Sequence, residues 1–434
     1  MKLTQITVGG FANVDKVTLS LSNMCALLAY NNFGKSNVLS AIMFGLTYMK
    51  AEASKRTQKM MSSLHCIPIN NKIAGNNFIF QIEGEVNTGD AKHFIEYEYS
   101  FAWPQNNIAP HIVSEQLKIK CFGELKAKSY IKRSGNTCSY LSSELGRCST
   151  SLKVESNQLA LSKLSNYDYL FYIDILKEVL GLKIVETQSL ADPKTFFRTI
   201  NIIDEQELFT GDINDIPDFS SSAYYIYNLK KSNKGAYSLF RDAVVHLIPS
   251  IIDFEPVKID LKKQVSRFNA DGDVPFHLPE YLYDIRVKEK NLNQQVTIDM
   301  LSSGTKRIFY LLLMTIAAEL NNVPLLLIEE LENSIHPSLF QKLLSTLKNL
   351  AGNTRMILTS HSPYLLQYLK PELLYVGIPN KDDVAIFKKI KNSKINSLVR
   401  DASANDMSLG DYLFDLLGDI NNTTDELVKK IFER

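Results

Sequence analysis

Neither sign of charge dominates this 434-residue chain, in which 48 Lys+Arg face 47 Asp+Glu for a formal net charge of +1. That excludes a chain that is basic throughout, while leaving room for a local basic patch. Cysteine is scarce. The five residues, at 25, 66, 121, 138 and 148, make an odd number with no CxxC pair, so neither a disulfide framework nor a zinc site is indicated. No apolar run approaches the roughly 18–20 residues needed to cross a bilayer; the longest, such as Ile308–Ala318, are bounded by charge. The start, Met1-Lys2-Leu3-Thr4-Gln5, lacks the apolar stretch of a secretory signal. There is no repeat of solenoid period and no heptad run long enough for a coiled coil. With 45% hydrophobic and 22% charged residues the composition is globular, not disordered. The expectation is a cytoplasmic chain without membrane partners, long enough for about two to three domains.

What is present is an α/β texture interrupted once. Leu3–Val8 and Val14–Leu19 alternate as strands do, and Met24–Ala29 is a short, wholly apolar run suited to a strand buried on both faces. A loop over Tyr30–Phe33 then leads into a helical stretch from Gly34 to about Lys50. From about residue 51, segments 78–86, 93–101 and 111–121 are rich in β-branched and aromatic residues, separated by turn-like pieces, and read as an antiparallel meander. Residues 158–181 and 222–248 read as helical, and Pro249 and Pro256 bracket a strand-like Ile251–Phe254. The α/β texture returns after about residue 295: helix Thr305–Leu320, strand Pro324–Ile328, helix Ser338–Leu350, strand Met356–Thr359 and a short helix from Pro363. This predicts an α/β head split in sequence (1–59 and 271–400) around an inserted β-meander and helical lobe (60–270), with C-terminal helices over 401–434.

Four motifs carry chemistry. Ala29-Tyr30-Asn31-Asn32-Phe33-Gly34-Lys35-Ser36-Asn37 matches the phosphate-binding loop G-x-x-x-x-G-K-[ST] except at its first position, where Ala29 replaces Gly. In such a loop the backbone N–H groups over Asn31, Asn32, Gly34 and Asn37 wrap the phosphates of ATP at a helix N-terminus. Lys35 reaches the β- and γ-phosphates, and the Ser36 hydroxyl joins Mg²⁺. Ala29 is tolerated provided its φ is negative. Second, Pro324–Ile328 followed by Glu329-Glu330 is an apolar strand ending in two acids. The first is placed to hold Mg²⁺ and the second to act as general base. Third, Leu301-Ser302-Ser303-Gly304-Thr305 is a Ser-x-Gly turn at a helix start, an anion-binding arrangement for which Ser302 and Gly304 are the candidates. Fourth, His361 in Thr359-Ser360-His361-Ser362-Pro363 follows a strand, where an imidazole can sense a γ-phosphate.

In this order the four motifs resemble the heads of the structural-maintenance-of-chromosomes and recombination-repair class of cassette-type ATPases. They are most similar to the overcoming-lysogenisation-defect-like ATPases of bacterial antiphage systems. Leu327-Ile328-Glu329-Glu330-Leu331-Glu332-Asn333-Ser334-Ile335-His336-Pro337 resembles that family's "IEEPE-x-H-x-HP" segment, Thr359–Pro363 its "TTHSP" and Ser302–Thr305 its "SSGT". The resemblance implies an ABC-type P-loop ATPase head with ATP and Mg²⁺ as cofactors. It makes Glu330, His361 and Lys35 catalytic, Asn333 and Ser334 the D-loop, and Ser302 and Gly304 the signature that reaches ATP across a homodimer. The family prototype carries a C-terminal Toprim nuclease built on Asp-x-Asp; no Asp-x-Asp follows His361, so nuclease or toxin chemistry is expected from a separate effector protein. A Q-loop glutamine is not placed, with Gln81 and Gln188 both following strand-like pieces.

Two basic stretches, 118–133 and 388–400, carry lysines and arginines with a single acid between them and are candidates for DNA, or else solvated surface. Leu409, Tyr412, Leu413, Leu416, Leu417 and Ile420 form one apolar stripe opposite Asp411, Asp415 and Asp419, which either packs on its own domain or docks the effector. The reading is a Mg²⁺-dependent ATPase acting as sensor or regulatory subunit of an antiphage defence system. The rivals are a DNA-repair ATPase acting on DNA ends without an effector, a transporter's nucleotide-binding subunit, and a scaffold that binds ATP without turning it over.

Overall fold

The computed structural model describes residues 1–89, 91–104, 109–187, 221–261, 281–362, 365, 368–378 and 382–418. They form two compact units, one of Met1–Glu186, Pro324–Glu329 and Arg355–Arg434, the other of Thr187–Val323 and Glu330–Thr354. Elements are numbered in chain order.

The first unit opens with β1 (Lys2–Phe11), β2 (Val14–Ser20) and β3 (Met24–Leu28), then α1 (Lys35–Lys50) and α2 (Ala53–Ser62). Strands β4 (Phe78–Thr88), β5 (Ala91–Ala102), β6 (His111–Cys121), β7 (Lys128–Ser134), β8 (Thr137–Leu141) and β9 (Cys148–Lys153) follow, with α3 (Ala160–Leu164), α4 (Ile173–Leu180) and β10 (Ile184–Thr187) behind them. The expected meander is there, but it is not a separate lobe. β1 pairs antiparallel with β4, Ile6 facing Ile82, so one eight-stranded sheet runs β2-β1-β4-β5-β6-β7-β8-β9. Strands from both sides of the expected boundary at 59/60 thus share one hydrogen-bonded sheet. Strand β4 alternates buried and half-buried residues along its length, as the period-2 pattern requires. Its inner face meets an aromatic core: Phe101 lies 4.9 Å from Trp103 and 5.0 Å from Phe78, and the Trp103 indole N–H donates to the Gly10 carbonyl at 2.7 Å. A buried polar knot ties the middle strands β5, β6 and β7 to α3. The Glu115 carboxylate accepts from the backbone N–H of Ala160 (2.6 Å) and Leu161 (2.8 Å) and from the Tyr97 hydroxyl (3.0 Å), with Arg133 at 3.9 Å.

The same unit holds a second sheet of order β10-β14-β15-β3-β16-β17, using β14 (Leu325–Ile328), β15 (Arg355–Ser360), β16 (Leu374–Gly377) and β17 (Phe387–Lys389). β3 is central and every one of its residues is buried, which is why it reads as an unbroken apolar run. It pairs in parallel with β15 (Leu28 opposite Ser360) and β16 (Val376 opposite Leu28), and β15 pairs in parallel with β14 (Ile328 opposite Leu358). Helices α9 (Asn392–Ala404) and α10 (Leu409–Gly418) close the described chain.

The second unit contains α5 (Ser222–Ser232), α6 (Lys234–Leu247), a small sheet of β11 (Ile251–Asp260), β12 (Tyr281–Glu289) and β13 (Val296–Thr297), and helices α7 (Ser303–Leu320) and α8 (Phe340–Leu350). Pro256 does not end the strand as expected. It sits inside β11 opposite Ile285, and among the described residues β11 is the outer strand of its sheet, the place where a sheet tolerates proline. Phe240, Phe254 and Phe309 meet edge to face at 5.0–6.0 Å. Residues 306–318 of α7 are buried all round, which makes it this unit's central helix. Among the described residues no helix is long and apolar enough to cross a membrane. The expected helix from Pro363 begins outside the described residues.

Candidate nucleotide site

Three adjacent parallel strands of the first unit, β14, β15 and β3, lead directly into Glu329, His361 and the loop Ala29–Gly34. The carboxyl ends of parallel strands are where α/β sheets bind their ligands. In the loop, Asn32 (φ 62°) and Gly34 (φ 105°) are left-handed, the backbone pattern from which anion-binding nests are built. Ala29 is not among the residues of positive φ, so the condition for an alanine at this position is met. Its methyl group has room because the neighbouring strand offers Gly377. A Cβ there would come within 2.6 Å of the Ala29 methyl and 2.5 Å of the Phe33 ring.

α1 starts at Lys35 with no side chain capping its amino end, leaving its first N–H groups to an anion. The Lys35 ammonium is buried and donates to the carbonyls of Ala29 (2.7 Å) and Tyr30 (2.8 Å), so it lies across the loop it follows. The Ser36 hydroxyl donates to the Glu329 carboxylate. A hydroxyl and a carboxylate in contact are the oxygen donors a hard divalent cation prefers. Glu186, near the end of β10, is drawn into the same neighbourhood: burial, and then the negative charge of Glu329, push its carboxyl up to about 7. Asn37 donates to Asn13 Oδ1 (2.8 Å), and Asn13 Nδ2 reaches the Phe33 carbonyl (3.3 Å), bracing the loop from the β1–β2 turn. His361 is exposed just beyond β15.

Ser302, Gly304 and Glu330 belong to the second unit. Ser302 caps α7, its Oγ accepting from the Thr305 N–H at 3.2 Å. Gly304 is pressed onto Ser334: a Cβ there would stand 2.3 Å from the Ser334 carbonyl oxygen. Glu330 (φ 44°) and Ser334 (φ 63°) are both left-handed, a conformation that costs a non-glycine residue ~1–2 kcal/mol and is held by the turn in which the Asn333 N–H donates to the Glu330 carbonyl at 2.9 Å.

Sequence reasoning therefore found Lys35, Ser36, Glu329 and His361 at one sheet end, and Ser302, Gly304 and Glu330 on the other unit. It missed Asn13, Gly377 and Glu186. Nothing local marks Asn13 or Gly377, since their partners lie far along the chain. Glu186 carried a faint signal as an acid ending a short apolar strand. Of the two glutamines, Gln81 is paired mid-strand in β4, away from any strand end, and Gln188 lies outside the described residues. The basic stretch 118–133 is not one surface: Arg133 is buried, donating to the carbonyls of Gly135 (2.7 Å) and Glu155 (2.8 Å), and Lys118 pairs with Glu96 at 3.0 Å. In 388–400, Lys388, Lys389 and Lys391 are exposed. The C-terminal stripe packs on its own unit. Leu413 and Tyr412 are buried, and the Tyr30 hydroxyl of the phosphate loop donates to the Phe414 carbonyl, with the two rings 5.6 Å apart. Its centre is therefore no effector surface; Asp419 and Ile420 lie outside the described residues.

A family model described as "AAA domain, putative AbiEii toxin, Type IV TA system" matches residues 31–367. Among solved structures, an Smc head bound to the C-winged helix domain of ScpA is similar at a TM-score of 0.52 and 13% identity, over 92% of this chain and all of that one. The head domain of SMC from Thermotoga maritima gives a TM-score of 0.42 at 11% identity, over 90% of this chain and all of that one. The fold is that of an ABC-type P-loop ATPase head of the SMC kind.

Proposed function

Because the chain belongs to this AbiEii-type AAA family of type IV toxin–antitoxin systems, we propose that it is a Mg²⁺-dependent ATPase that closes into a homodimer on ATP and thereby controls a separate effector, a nuclease or toxin, in antiphage defence. The observation that carries the reading is the bond between the Ser36 hydroxyl and the Glu329 carboxylate, which joins the phosphate loop to the acidic strand end. Such a pair fits Mg²⁺, whose bound charge would neutralise the phosphates and polarise the γ-phosphoryl group.

The chain's own residues do the rest. Lys35, already desolvated, exchanges its hold on the Ala29 and Tyr30 carbonyls for phosphate oxygens, a charge-assisted exchange that favours the bound state. The N–H groups of residues 31–37 cradle the phosphates. Glu330, whose backbone is held left-handed in its turn, takes the proton of the attacking water. His361 donates to the γ-phosphate and registers its loss. Ser302 and Gly304 of one protomer meet the γ-phosphate held by the other, so each site needs two chains and a two-fold axis satisfies both. That heads of this fold take protein partners is supported by the Smc head that binds ScpA; the effector would be such a partner.

The test is light scattering of wild type and Glu330→Gln with and without ATP. The reading expects an ATP-dependent dimer, prolonged in Glu330→Gln. A monomer under every nucleotide condition would refute it.

A further inference from the structure

Among the described residues, the two sheets of the first unit meet at their outer strands. β2 is the last strand of the eight-stranded sheet and β17 the last of the six-stranded one. Val14 and Ala385 form a parallel bridge, with the Ala385 N–H donating to the Asn13 carbonyl at 2.8 Å. Four residues further along, the two chains line a cavity of about 500 Å³ instead of continuing to pair. Thr18 and Ser20 come from β2, Lys388 and Lys389 from β17, Lys391 from the segment after it, and Tyr375 from β16. The walls are regular strands, and the Ser20 N–H donates to the Tyr375 phenol oxygen at 2.7 Å, tying the β2 end to the β16 side.

The lining is one-sided in charge. It contains three lysines and no carboxylate, and among the described residues none of the three is in an ion pair. Lys389 is held near the Tyr375 ring, 6.0 Å from its centroid, not against an acid. Three lysines with no carboxylate beside them make the cleft locally positive, which favours an anion there, and Ser20 adds a hydroxyl to the lining. The volume lies within the ~300–1,000 Å³ of ligand sites. Lysines act as point charges toward phosphate, and a phosphate group carries enough charge to satisfy several of them.

We propose that this cleft between β2 and β17 is a second anion site, separate from the ATP site, which takes the phosphate-ester groups of a polyanionic ligand. The chemistry is shared by a nucleic-acid backbone and a free nucleotide, and the experiment separates them. The full chain carrying Lys35→Ala, which silences the ATP site, is titrated with a fluorescein-labelled 20-nucleotide DNA strand and, in parallel, with ADP followed by calorimetry. Lys388→Glu with Lys391→Glu is expected to weaken the responsible ligand by about 10-fold or more. For the DNA strand, its salt dependence should also flatten by roughly two phosphate contacts at ~0.7 each. Thr18→Trp fills the cleft without changing charge and is expected to weaken the same ligand comparably.

Loss of the DNA strand assigns the site to a nucleic-acid backbone, and loss of ADP alone assigns it to a nucleotide. If neither ligand binds, or if Thr18→Trp binds as tightly as its parent while the charge reversal weakens binding, the cleft is not the site and the proposal falls. Because these lysines lie outside the ATP machinery, ATP turnover in the otherwise wild-type chain should survive their reversal. Failure of the ATPase reading would leave the polyanion result standing on its own.

Discussion

A methyl group added at Gly377 should disable nucleotide binding from outside the motif. The Cβ of Gly377→Ala would lie 2.5 and 2.6 Å from two atoms of the Phe33 ring and 2.6 Å from the Ala29 methyl, distances real contacts essentially never reach. Neither neighbour can retreat freely. Phe33 is packed edge to face on Phe387 at 5.5 Å, and the next residue, Gly34, is walled by Asn13 and Ala385. The strain must enter the loop Ala29–Gly34. Overpacking of this kind costs ~1–3 kcal/mol. If the loop must shed it to receive phosphates, affinity falls by about 5- to 150-fold. The assay is a titration with a fluorescent ATP analogue, run beside thermal melts with and without ATP. Ala29→Gly in the Gly377→Ala background removes one of the two clashes and should recover part of the loss, a coupling that a double-mutant cycle reads directly. Wild-type affinity in Gly377→Ala, or no recovery on adding Ala29→Gly, would refute the reasoning. A lowered melting temperature with unchanged affinity would refute it too, since the cost would then have fallen elsewhere.

Lys35→Ala is expected to abolish ATP binding in the same titration, while Glu330→Gln keeps binding and slows hydrolysis by ~10²–10⁴-fold in a phosphate-release assay. Ser302→Arg should leave each chain's ATP affinity intact yet prevent the ATP-dependent dimer in light scattering. Glu115→Ala strands the N–H groups of Ala160 and Leu161 and the buried Arg133, and should cost ~3–5 kcal/mol in urea unfolding, with Glu115→Gln costing less.

Where chemistry demands fixed residue types at fixed spacing, the chain was legible. Lys35-Ser36 and Glu329-Glu330 stand out because the phosphate-loop and acidic strand-end motifs admit few residue types, and β3 is legible because burial on both faces excludes every polar residue from Met24 to Leu28. What escaped was long-range. The pairing of Ile6 with Ile82, which merges the meander with the first strands, leaves no mark in either segment. The freedom of Pro256 to sit inside a strand follows from β11 being, among the described residues, the outer strand of its sheet. The C-terminal stripe had the right helical period, but period says only that one face is covered, not that the cover is the chain's own first unit. Ala29 looked like a defect in its motif because its compensation, Gly377, is on a strand that motif reading does not reach.

The sheet order also has a consequence for how the protein is made. β3 is made long before its hydrogen-bonding neighbours, since both β15 and β16 lie between residues 355 and 377. At ~5–20 residues per second that is a delay on the order of tens of seconds, during which an unpaired apolar strand must be kept from strangers. The phosphate loop hangs from that strand, and its partner Glu329 is itself a late arrival. The proposed nucleotide site therefore cannot be completed before Glu329 has been made, 293 residues after Ser36. Pairing of β3 and completion of the site thus both wait on the same late segment of the chain.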